Sequence, residues 1–163
     1  MAGKVDSFMP LVRLKHENEF IWGAEQKRAF ERIKEYLASP PVLKAAKVGI
    51  DFRLYVAVQE HVLGVVLTQE EGGREFSVAY ASRRLLDAEK MYVFLERLCL
   101  ALYYACVKFR YYLLSSACVV VCQHDVVKYM LQRPILSGRM GKWAYSLVEY
   151  DLKFEHIRAV KDR

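Results

Sequence analysis

The chain has 163 residues, 54% hydrophobic and 27% charged, and a net charge of +6 from 25 basic and 19 acidic side chains. That balance excludes a disordered tail and suits one folded domain with a real core, while the modest basic excess permits a polyanionic partner without demanding one. No apolar run approaches the roughly 20 residues that span a bilayer, so no membrane contact is expected.

The opening MAGKVDSFMPLVRLK lacks an apolar signal core and a cleavage site, which predicts an intracellular protein, cytoplasmic or nuclear and not secreted. Cys99 and Cys106, then Cys118 and Cys122, show no zinc spacing and read as reduced, buried small hydrophobes. Residues 1–19 carry little pattern and read as an arm. In the following stretch Phe30, Ile33 and Leu37 make one apolar stripe of a helix, and Pro40–Pro41 would end it.

From Phe52 the pattern changes to alternation. Phe52, Leu54, Val56 and Val58 interleave with Arg53, Tyr55, Ala57 and Gln59, and a second apolar run from Val62 to Leu67 follows at hairpin spacing. Gly72–Gly73 predict the next turn, and EFSVAYA a third strand. A helix is then expected from about Ala88 to Leu113, with a seam through Leu95, Cys99, Leu102, Cys106, Phe109 and Leu113. ACVVVC reads as a central strand, Asp125 as the cap of a helix over 126–131, and Pro134 as its break. A helix near Gly141–Glu149 and a last strand, DLKFEHI, complete the order. The class is α/β (an α+β mixed sheet): five strands with packed helices, behind a helical arm. The boundary is expected near residue 44, giving 1–44 as arm and connection helix and 45–163 as the main domain.

The residues F-x-W with A-F and I-K (Phe20, Trp22, Ala29–Phe30, Ile33–Lys34), PPVL, LGVVLTQE, YASRRLLDAEKMY, ERLCLALYYACVKFRYYL, VKYMLQRP and SGRMGKWAYSLVEYDLKF occur in a familiar succession over roughly residues 20–158. The chain resembles the connection and ribonuclease H-like region that follows the polymerase in gypsy-class LTR retrotransposon polyproteins. The first strand, YVAVQEH in place of a DAS-like sequence, is similar to the degenerate variant of plant elements. The resemblance implies a ribonuclease H-like fold lacking the final carboxylate-bearing helix.

Active members of that family hold two divalent metals about 4 Å apart with clustered carboxylates. Carried over position by position, the resemblance puts the ligands on Ala57, Leu98 and Gln123, none of them an acid. Glu60, Glu96 and Asp125 are the nearest acids, and as substitutes each would require a bend in its element. The expectation is therefore a pseudo-ribonuclease H with no catalytic residues and no cofactor, magnesium or manganese entering only if that reading is wrong. The four histidines (His16, His61, His124, His156) are scattered, and no G-x-S-x-G, glycine-rich phosphate loop or C-x-x-C is present.

A nuclease fold without its ligands would keep a binding or scaffolding task, for an RNA–DNA hybrid or duplex beside a reverse transcriptase. The candidate phosphate contacts are Arg83, Arg84, Lys90, Arg97, Lys108, Arg110, Arg139 and Lys142, and Trp143 beside them reads as a core residue rather than a stacking platform. The alternative is a host-adopted, element-derived protein that contacts another protein, for which eleven tyrosines offer interface material.

Overall fold

The computed structural model describes residues 6–14, 20–39, 42–131 and 138–157. The chain divides into two compact units, 1–42 and 43–163. The proline pair at 40–41, Pro134 and His16 lie outside the described residues.

In the first unit a short helix α1 (Met9–Val12) precedes α2 (Ala24–Ala38). Gly23 opens α2 in an extended conformation, and its N–H donates to Oε1 of Gln26, which occupies the third helical position. Trp22 gathers three rings, Phe8 at 5.5 Å, Phe20 at 6.5 Å and Phe30 at 6.1 Å. The expected stripe on α2 is present in sequence but not buried. Ala29 is the α2 residue that is buried, whereas Phe30 is 46% exposed.

In the second unit, strands β1 (Phe52–Val58), β2 (Val62–Glu71) and β3 (Arg74–Arg84) form an antiparallel meander. Glycines 72 and 73 both have positive φ, 59° and 75°, the backbone that a tight two-residue hairpin turn demands. Next come α3 (Asp87–Lys90), α4 (Phe94–Lys108), α5 (Arg110–Leu113), β4 (Cys118–Cys122), α6 (Val126–Leu131), α7 (Gly138–Leu147) and β5 (Leu152–His156). Sheet order is β3-β2-β1-β4-β5, with β4 parallel to both neighbours. This is the five-stranded mixed sheet with packed helices and a helical arm that the sequence predicts. The short limits differ: β3 runs three residues past Ala81, and α7 starts at Gly138 rather than Gly141.

The continuous helix expected over 88–113 is instead three helices. Val93 is extended (φ −62°, ψ 155°) and breaks the chain after α3, while Phe109 (φ −106°, ψ 19°) separates α4 from α5. At the first break side-chain packing outweighs helix propensity: the turn at 91–93 seats Tyr92 against Trp143, ring centres 6.2 Å apart. The predicted seam survives the breaks, since Cys99, Leu102, Cys106, Phe109 and Leu113 are all buried.

Alternation gives the sheet two unlike faces. Phe52, Leu54 and Val56 of β1 and Leu63, Val65 and Leu67 of β2 bury with the α4 seam in one core. The opposite face carries Arg53, Tyr55 and Ala57. There Arg53 Nη2 donates to Glu155 at 2.9 Å and the Tyr55 hydroxyl to Glu75 at 2.9 Å. Gln69 is fully buried, yet its amide is satisfied: it accepts from Lys47 N–H at 2.8 Å and donates to the carbonyls of Lys47 (3.0 Å) and Ile50 (2.9 Å). That clamp fixes the loop leading into β1.

Candidate nucleic-acid interface

The site region lies at the carboxyl ends of β1 and β4. The turn after β1 closes with Gln59 N–H donating to the Val62 carbonyl at 2.8 Å, and Leu85 N–H donates to the His61 carbonyl at 2.8 Å, tying the end of β3 to it. α4 begins over the same end. Arg97 Nη1 reaches the Glu60 carbonyl at 3.5 Å, and the Phe94 ring meets His124, just past β4, at 5.9 Å.

This geometry collects the three family ligand positions at one end of the sheet but on different sides of it. Tyr55 pairs with Val121 in parallel register, so Ala57 and Gln123 lie two residues further along neighbouring strands. Ala57 belongs to the set facing away from the core, and both it and Gln123 are exposed. Leu98 is 1% exposed and sits inside the core cluster. The nearby acids are engaged elsewhere. Glu60 lies in the turn and not on the strand, its carboxylate 3.8 Å from His61 Nε2. Glu96 accepts from Arg139 at 3.2 Å, and Asp125 Oδ1 accepts the Lys128 N–H at 2.8 Å, the predicted cap of α6. A two-metal centre needs several anionic oxygens converging. The residues here do not fit one, and among the described residues no group of three or more His, Cys, Asp or Glu could hold a metal ion.

Most of the basic candidates are already engaged. Arg83 is committed inward: its guanidinium donates to both oxygens of Glu89 (2.7 and 2.9 Å) and stands over the Tyr104 ring. That fork, with the Leu86 N–H at 2.8 Å, holds the Glu89 carboxyl below the usual carboxylate range, and Glu89 in turn raises Arg83. Lys90 pairs with Asp87 at 2.7 Å. Arg110 pairs with Glu149 at 2.8 Å, and Arg139 binds Glu96 while covering the Tyr92 ring at 4.0 Å. Arg84, at the end of β3, is half-buried and also engaged. Lys108 lies exposed beside the Tyr104 ring at 5.8 Å, and Lys142 is exposed on α7. Trp143 is buried and stacks on Tyr103 at 6.0 Å, so it serves the core. Sequence reading missed Glu89. Its position three after Leu86 is that of a capping-box acid, but leucine in place of serine or threonine hides the motif.

The sheet order and its helices define a ribonuclease H-like fold. Residues 22–120 match the family described as the RNase H-like domain found in reverse transcriptase, and the chain belongs to that family. Among curated relatives it is 27% identical over 149 residues to the retrovirus-related Pol polyprotein from transposon 412 of Drosophila melanogaster, covering 91% of this chain and 12% of that polyprotein. The chain thus spans a small part of the length of such relatives. Among solved structures, the foamy viral protease–reverse transcriptase dRH in complex with double-stranded DNA superposes with a TM-score of 0.78 at 17% identity, over 99% of this chain and 29% of that one. The foamy viral enzyme in complex with an RNA/DNA hybrid gives 0.70 at 20% identity, over 97% and 22%. These likenesses establish the fold. Among the described residues, no helix is long and apolar enough to cross a membrane.

Proposed function

We propose that the chain is a catalytically silent ribonuclease H-like module of a gypsy-class LTR element, of the plant-type variant, that holds nucleic-acid duplex beside a reverse transcriptase. The observation that carries the reading is the occupancy of the three ligand positions: a methyl group at 57, a buried isobutyl group at 98 and a neutral amide at 123. None bears the negative charge that hard divalent cations require. The foamy viral complexes with DNA and with hybrid supply the ligand class to test. On this reading the contacts fall mainly to Arg97, Lys108 and Lys142, whose charges meet no carboxylate among the described residues.

The test is incubation with a labelled RNA–DNA hybrid in magnesium or manganese, following cleavage and binding across a salt series. Binding without cleavage, weakening steeply as salt rises, is the expected result. Metal-dependent cutting would overturn the silent reading. A second reading, a host-adopted protein that contacts another protein, draws on the exposed apolar residues Leu86, Met91 (84% exposed) and Val93 around α3. It predicts no salt-dependent hybrid binding.

A further inference from the structure

We propose that the surface shared by the end of α4, α5 and the end of α7 is a self-association face, on which a second copy of this chain docks across a two-fold axis. Val107, Arg110, Tyr111 and Leu114 recur at i, i+3, i+4 and i+7, so they share one side of the α4–α5 segment. The apolar members of that set are turned to solvent, Tyr111 with 88% of its surface open. Tyr145, 83% exposed, and Val148 are open in the same way on α7 and the turn after it. The two segments are clamped side by side. Arg110 Nη2 and Nε donate to the two oxygens of Glu149 at 2.8 and 3.3 Å, and the Tyr150 hydroxyl donates to the Cys106 carbonyl at 3.4 Å. The ion pair therefore lies between the two apolar sets.

Three features select a second copy as the occupant. The apolar residues and the ion pair together leave roughly 800 Å² open, about what each partner gives to a standard specific interface. The pair is neutral as a unit yet offers both a cation and an anion, so the same surface turned through 180° can set Arg110 against Glu149 of the other copy. Tyr111, next to Arg110, adjoins a recess of about 360 Å³ lined by Tyr145, Ser146, Val148 and Glu149, so one surface carries both a knob and a hole. Tyrosine is the residue type that interfaces favour for such a knob. The contact is independent of the duplex reading and of the apolar residues around α3.

Sedimentation velocity of the full chain over a concentration series tests this. The wild-type chain is expected to dimerise with a Kd on the order of 10 µM. Association should tighten as salt rises, because salt screens the repulsion between two copies of net charge +6. Tyr111→Asp and Tyr145→Asp should each weaken association about tenfold or more, while Met91→Asp, among the apolar residues around α3, should leave it unchanged. Arg110→Glu and Glu149→Arg give a stricter readout. Each alone sets like charges against each other across the axis and should sediment as a monomer, whereas an equimolar mixture of the two should recover a dimer. A wild-type chain still monomeric at about 100 µM, tenfold above the expected Kd, overturns the proposal. So does a dimer that survives both tyrosine substitutions, or a mixture of the two charge variants, each folded by circular dichroism, that stays monomeric.

Discussion

Glu89 is an acid 8% exposed, and it survives there because three donors converge on it from Arg83 and the Leu86 N–H. Its carboxyl is depressed in the folded chain, so the unfolded chain binds the extra proton as pH falls. The stability it contributes is complete above an unfolded value near about 4.3 and is lost as pH drops through the lower folded value. Glu89→Gln is expected to cost about 2 kcal/mol at pH 7 and to flatten the loss of stability between pH 5 and pH 3, read by urea unfolding. Gln69 makes a parallel case without charge: Gln69→Leu would strand the Lys47 N–H and two carbonyls, at a cost of about 3 kcal/mol in the same measurement. The ligand positions also separate at this scale. Ala57→Asp places a carboxylate on an exposed face and should change stability by less than about 1 kcal/mol, whereas Leu98→Glu puts one into the core and should cost more than about 3 kcal/mol.

The elements show which patterns carry information in a single sequence. Alternation over 52–58 and the glycine pair at 72–73 place the meander correctly, because strand period and positive φ are local properties. The Asp125 cap is local too; Asp125→Ala should cost about 1 kcal/mol of stability, with α6 amides exchanging faster. The breaks at 91–93 and 109 were illegible, since nothing in YVFL or KFRYY disfavours a helix strongly. At 91–93 the turn accompanies the seating of Tyr92 on Trp143, a contact 51 residues apart in sequence, and nothing in the structure explains the break at 109. The same limit applies to the candidate site. Counting arginines finds the basic residues, but only the fold shows that Arg83, Arg110 and Arg139 answer carboxylates at Glu89, Glu149 and Glu96, two of them some 40 residues distant. The empty charge on Arg97 is likewise a property of its surroundings.

At the scale of the whole chain, the division after residue 42 sets a testable boundary. The sheet and the core cluster lie entirely within 43–163, and all the candidate phosphate contacts lie there as well. A fragment beginning at Leu43 is therefore expected to melt cooperatively and to bind hybrid with the salt slope of the full chain. A fragment that melts without cooperativity would show that 43–163 does not fold on its own.

The four cysteines, spread over α4 and β4, are all buried and none is in a disulfide. Burial pushes the Cys118 thiol up to about 12, and raises Cys106 and Cys122 as well. A thiol that is both shielded and protonated does not attack an alkylating reagent. These three cysteines therefore become reactive only when α4 or β4 leaves the core, so the rate of their alkylation at neutral pH serves as a clock for opening of the core. Adding nucleic acid should slow that clock in proportion to how tightly the folded form is held.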